Sequence, residues 1–186
     1  MIGVFKIPQG ASMSTLKYAS KQQMSHWRQH LHQHPETGFE VHDTAAFVAQ
    51  KLTEFGLQVH TQIGEIGVVG VLKRGTSDKA IGLRADMDAL AIQELNDFTY
   101  KSQNEGRMHA CGHDGHTAML LSAARHLAAT KNFDGILHLV FQPAEEGLAG
   151  ARCEGCDARV SQRIGSATEP QNIPYDCFAT SGLPGV

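Results

Sequence analysis

The 186-residue sequence has no block of like charge: 16 Lys and Arg and 19 Asp and Glu are interspersed, for a formal net charge of −3. That absence argues against a nucleic-acid partner or an anionic membrane surface, both of which select clustered basic residues. A long apolar start is also missing. Ile2, Gly3, Val4 and Phe5 are interrupted at once by Lys6, Pro8 and Gly10, which is too short a run for a signal-peptide core or a membrane span. Cysteine is sparse, with Cys111 inside a polar motif and Cys153, Cys156 and Cys177 towards the end. This is no disulfide framework for a chain of this size, so a reducing, cytoplasmic setting is expected. Internal repeats and low-complexity segments are absent, and no histidine follows His138. What remains is the composition of one globular domain, 41% hydrophobic and 19% charged, with enough apolar residues for a core and a small molecule as the expected partner.

Periodicity places the elements. Met24, Trp27 and Leu31 are spaced three and four apart ahead of Pro35, which predicts a helix over 21–34. Asp43, a cap candidate, opens a second helical stretch to Phe55, stopped by Gly56. Short β-rich runs follow at 57–63, 67–72 and 80–84, separated by Gly64 and by Gly75-Thr76-Ser77-Asp78. The polar, aperiodic segment 94–108 predicts a loop. Residues 117–129 carry a strong helical pattern, and 135–141 reads as a buried strand. Strand, helix and strand in that order imply an α/β sandwich with its loops collected at strand ends.

Two stretches carry chemistry. The first is His109-Ala110-Cys111-Gly112-His113-Asp114-Gly115-His116, too rich in metal-binding and acidic side chains for a core segment. Cys111 and His113 lie two apart, so both can turn to one centre, and their soft sulfur and borderline nitrogen suit zinc, manganese, cobalt or nickel. With the following helix predicted to start at Thr117, this motif sits at a helix N-terminus, where the dipole is expected to lower the pKa of the thiol. An alternative makes Cys111 a nucleophile with His113 or His116 as its base, a reading that gives no use to the second stretch. That stretch, Gln142-Pro143-Ala144-Glu145-Glu146-Gly147, ends the last apolar strand with two carboxylates pointing different ways. One can hold a metal while the other carries a proton. Asp86 and Asp88, in Arg84-Ala85-Asp86-Met87-Asp88-Ala89-Leu90, either orient a metal-ligating group or cap the next turn.

Four motifs in this order, His32-Gln33-His34-Pro35-Glu36, Arg84 to Leu90, Met108 to His116 and Phe141 to Gly147, resemble the metal-dependent amidohydrolases that include hippurate hydrolase, N-acyl-amino-acid amidohydrolases and auxin-conjugate hydrolases. The resemblance covers residues 25–152. It implies Cys111, His113 and Glu146 as metal ligands and Glu145 as the general base; Asp88 is placed in the catalytic set, and it or Asp114 would orient ligands. It implies a zinc-peptidase-like, three-layer α/β sandwich with a mixed sheet, a centre for two divalent ions (Zn, Mn, Co or Ni), and hydrolysis of the amide bond of an N-acyl amino acid or peptide. The lid and dimerisation domain of such proteins has no counterpart in this sequence, so oligomerisation would need another surface.

After residue 152 the pattern departs from that family. No further ligand histidine appears, and 153–186 loses periodicity and gains Pro170, Pro174 and Pro184. The division expected is an N-terminal extension over 1–24, a partial catalytic domain over 25–152 and a poorly ordered tail over 153–186. A truncated, catalytically inactive fragment with residual metal binding is the alternative reading of the whole.

Overall fold

A computed structural model describes residues 19–147 of the chain. Its elements are α1 (Lys21–Gln33), α2 (His42–Glu54), β1 (Gln58–Ile63), β2 (Gly67–Arg74), β3 (Ala80–Asp86), α3 (His113–Thr130) and β4 (Gly135–Gln142). The expected tail over 153–186, its Cys153-Glu154-Gly155-Cys156 spacing and most of the extension over 1–24 lie outside the described residues.

Local chemistry accounts for the helix ends. The Ser20 hydroxyl accepts the Gln23 amide at 3.1 Å and caps α1, satisfying one of the donors that a first turn leaves free. α2 departs from expectation. Asp43 lies inside its first turn, and the cap comes from Glu36, whose carboxylate accepts the Asp43 and Thr44 amides at 3.1 and 2.8 Å. α2 ends as its sequence suggests. Gly56, at φ +81°, lets the Gly56 and Leu57 amides turn back to the Thr53 and Leu52 carbonyls, the paired bonds of a Schellman stop.

The four strands form one mixed sheet in the order β1-β2-β4-β3. β2 pairs antiparallel with β1 and with β4, while β3 runs parallel to β4. The parallel pair needs a crossover, and α3 supplies it. Alternation along β4 sends Leu137, Leu139 and Phe141 to one face, where they join Trp27, Val48, Leu52, Leu121 and Ala124 of the helices in the main core. Ile136 joins Ile63, Val69 and Val71 in a smaller cluster on the opposite face. The mixed sheet is the one expected, and within the described residues the helices pack on the main-core face. α2 presents Ala45, Val48 and Leu52 inwards, whereas Ala46 is exposed. Among the described residues no helix is long and apolar enough to cross a membrane.

Candidate metal centre

Because β3 and β4 are parallel neighbours, with Asp86 opposite Gln142, the segments that follow them leave the sheet at the same end. α3 begins there, and two side-chain bonds tie it down. Thr117 Oγ1 donates to the Asp86 carbonyl at 2.9 Å, and His113 Nδ1 donates to the Asp88 carbonyl at 2.8 Å. A carbonyl oxygen only accepts, so Nδ1 carries a hydrogen, and Nε2 is the nitrogen left for a metal once its own proton is displaced.

Asp88 is the joint of this site. It is 1% exposed, and its two carboxylate oxygens accept the Glu145 amide at 3.0 Å and the Glu146 amide at 2.9 Å. This grip holds the turn after β4, in which the buried Ala144 adopts φ 56°, a left-handed conformation that a non-glycine residue keeps only when its surroundings enforce it. The Glu145 and Glu146 side chains then reach back to His113, whose Nε2 is 3.9 Å from an oxygen of each. Cys111 Sγ, a His113 ring nitrogen and a Glu146 oxygen all lie within 4.8 Å of one another. The five site residues expected from sequence, Glu145, Asp88, Cys111, His113 and Glu146, are thus brought together.

Electrostatics here favour a cation. The hydrogen bond to Glu146, burial and the charges of Glu146, Glu145 and Asp86 push the Cys111 thiol up to about 11. Burial opposes protonation of His113, yet its bonds to Asp88 and the charges of Asp86 and Asp88 outweigh that and raise it to about 9. Burial likewise opposes ionisation of Asp88, while the bonds from His113 and the two backbone amides hold its carboxyl below the usual range. Sulfur, nitrogen and oxygen donors in a field that attracts protons this strongly fit a divalent transition metal, which would displace those protons.

The thiol expectation is overturned. The helix starts four residues earlier than its apolar pattern suggests, at His113, with Gly112 at φ +92° as its cap. Cys111 stands outside that first turn beside two carboxylates, and its hydrogen bond to Glu146, then burial and the negative charges around it, raise its pKa. A thiol pushed up to about 11 is also a weak nucleophile, which counts against the cysteine-hydrolase reading.

The early helix start hid a further set of residues. His113 and His116, three apart on α3, share a face with ring centroids 5.5 Å apart. Asp86 joins them, all three offering ligand atoms within 4.8 Å. The loop 94–108 also holds more than its composition suggested. Glu94 is 6% exposed and accepts from the Ser102 amide, the Asn96 side chain and His32. The other ring nitrogen of His32 lies 2.7 Å from Asp114, which also pairs with Arg28 Nε at 2.7 Å. The His32 motif and the residue after His113 are therefore one buried network linking α1, α3 and this loop. His109 is 4% exposed, and neither ring nitrogen has a hydrogen-bond partner among the described residues.

A βαβ unit that collects thiolate, imidazole and carboxylates at its strand ends defines the class as a candidate metallohydrolase domain. Residues 82–172 match the model of peptidase family M20/M25/M40, and the chain belongs to that family. It is 62% identical over 125 residues to hippurate hydrolase of Campylobacter jejuni, covering 67% of this chain and 32% of that protein. It is 42% identical over 139 residues to the N-acyl-L-amino acid amidohydrolase of Geobacillus stearothermophilus, covering 74% and 38% of the two. Among solved structures, the YxeP protein of Bacillus subtilis, described as a dinuclear metal-binding peptidase, superposes with a TM-score of 0.62 at 32% identity, covering 72% of this chain and 40% of that one. The chain spans about a third of the length of the curated relatives it matches.

Proposed function

We propose that residues 25–152 carry the catalytic centre of a metal-dependent amidohydrolase that cleaves the amide bond of N-acyl amino acids or small peptides. The observation that carries this reading is the convergence of Cys111, His113 and Glu146 within 4.8 Å, with Glu145 and Asp88 beside them. A divalent ion in that donor set, zinc, manganese, cobalt or nickel, would polarise the scissile carbonyl and make water a stronger acid.

Glu145 is the half-exposed member of the acidic pair, 44% against 24% for Glu146. It is placed to accept a proton from the attacking water and return it to the leaving amine, so that one carboxylate serves as base and then as acid. Asp88 acts at one remove, fixing the amides of both glutamates and the ring of His113. The relatives named hippurate hydrolase and N-acyl-L-amino acid amidohydrolase support the substrate class. The sparse cysteine supports a reducing, cytoplasmic setting.

The test is hydrolysis of hippurate and N-acetyl-methionine by the purified chain, with and without chelator. Turnover that chelator abolishes and that Glu145→Gln removes supports the proposal. Metal binding with no turnover in any of the four metals overturns the activity and leaves a metal-binding domain.

A further inference from the structure

Two side chains of the motif His32-Gln33-His34-Pro35-Glu36 have a place in the structure already described. His32 enters the network with Glu94 and Asp114, and Glu36 caps α2. His34 takes part in neither. Two residues from His32 at the end of α1, it lies on the other side of the helix, together with His30 one turn earlier and His26 one turn before that. His26 and His30 are exposed, and His34 is partly buried.

His34 and His30 are held side by side. His34 Nδ1 donates to the His30 carbonyl at 2.8 Å, so in the neutral ring Nε2 holds the lone pair. The His30 ring stands 4.8 Å from it, centroid to centroid, and rests against the Phe47 ring of α2 at 5.0 Å. Among the described residues neither ring nitrogen of His30 is committed to a hydrogen bond. Partial burial and the charges of His34, His26 and Lys51 hold His30 below its ordinary pKa of 6.5, so at neutrality it has a lone pair to offer. Lys51 is itself paired with Glu54 at 2.9 Å, which offsets its repulsion of a cation nearby.

Two histidines four residues apart are the spacing with which one helix face grips one metal ion. With metal–nitrogen bonds of about 2.1 Å, two imidazoles bound side by side on one ion have centroids roughly 4.5–5 Å apart, the separation found between His30 and His34. α1 also ends here, and the unpaired carbonyls of a last helical turn favour a cation. His26 stands two turns from His34, about 12 Å along the helix axis, too far to share an ion with it.

We propose that His30 and His34 form a surface seat for one divalent ion of the late transition series, nickel(II), copper(II) or zinc(II), separate from the strand-end centre. Donors that are all imidazole nitrogen suit these ions and not magnesium or calcium, which take oxygen. Neither residue belongs to the strand-end cluster, so the seat stands whether or not the chain hydrolyses amides. An ion there clips the last turn of α1 to its cap residue, just before the chain passes through Pro35 to Glu36.

Nickel(II) is the probe, counted by equilibrium dialysis of the full chain under reducing conditions. The parent is expected to bind one ion more than His30→Ala and one more than His34→Ala, while His26→Ala matches the parent. Glu146→Gln, which weakens the strand-end centre, should bind one ion more than Glu146→Gln combined with His30→Ala. Circular dichroism confirms that each variant is folded. Parental stoichiometry in both His30→Ala and His34→Ala overturns the seat. Loss of the same ion in His26→Ala overturns the pairing with His34. A double variant that binds as much nickel as Glu146→Gln alone overturns the separation of this seat from the strand-end centre.

Discussion

The carboxylate of Asp88 accepts the backbone amide of Glu146 at 2.9 Å across 58 residues of sequence, so the acidic pair is set in place by a residue from a different strand end. Asp88→Asn keeps the shape but turns an amino group towards one of two amides that need an acceptor. A buried group left unsatisfied costs roughly 1–3 kcal/mol, and a loss of that size is expected in urea unfolding of the metal-free chain. Metal affinity should fall with it, since the same change weakens the hold on His113. Unchanged stability together with unchanged affinity would remove Asp88 from its role as the joint.

Glu145→Gln and Glu146→Gln should behave differently although the residues are adjacent. The first keeps its metal and loses turnover by roughly a hundred- to ten-thousand-fold, the usual cost of removing a general base. The second should lose metal and activity together, because a neutral amide is a poor ligand. Elemental analysis beside initial rates separates the two. Equal loss of metal in both would abolish the division of labour between them.

Metal affinity should rise with pH. Cys111 at about 11 and His113 at about 9 are both protonated at neutrality in the metal-free chain, and an ion must displace those protons to bind. Raising the pH from 6 towards 9 therefore removes competition at His113 and part of that at Cys111. Isothermal titration in buffers of different ionisation enthalpy should show proton release on binding. A flat affinity across this range would contradict the electrostatic account of the site.

Much of this was legible in the sequence, and the exceptions have physical causes. β4 and the body of α3 announced themselves through Leu137, Leu139 and Phe141 and through Leu120, Leu121 and Ala124, because burial imposes a period that composition preserves. The first turn of α3 did not. Asp114 and Gly115 are poor helix formers, and what holds that turn in a helix is tertiary, namely the bonds from His113 and Thr117 to the end of β3. The pairing of His113 with His116 on one face was hidden for that reason, and Asp86 with it. The cap on α2 was misplaced for a similar reason, since Glu36 reaches across a turn that no local pattern describes. Glu94, in a polar loop, gave no sign of burial because its partners, His32 and Ser102, are distant in sequence or bond through the backbone.

His109 predicts an acid-sensitive fold. Burial lowers it to about 4 from an ordinary value of 6.5, so the unfolded chain binds this proton more tightly than the folded one. The contribution to stability is complete above 6.5 and is lost as pH falls through about 4, amounting to about 3 kcal/mol over that window. His109→Leu, which cannot titrate, should show a correspondingly shallower fall in urea midpoint between these pH values. An identical fall in parent and variant would place the sensitivity elsewhere.

Gly112→Ala tests the hinge between two proposed ligands. A Cβ there would meet nothing within 4 Å, so space is not the difficulty, but φ is +92°. Holding an L-residue in the left-handed region costs roughly 1–2 kcal/mol, relieved only by turning Cys111 away from His113. A loss of cobalt affinity together with a weaker cobalt–thiolate absorption band is expected. Full affinity in the variant would show that the angle between these two residues is not what sets the site.

The strand order has a consequence for how the chain is made. β4 lies between β2 and β3, so neither of those earlier strands meets its inner neighbour until residue 142 has been synthesised. Until then only the β1–β2 hairpin can form, and β2 and β3 each carry a bare row of amides and carbonyls beside Val68, Val69, Val71 and Leu83. Bare edges of this kind recruit other strands. During translation the chain therefore passes through a span in which β2 and β3 wait, each with an edge bare, for the strand that comes to lie between them.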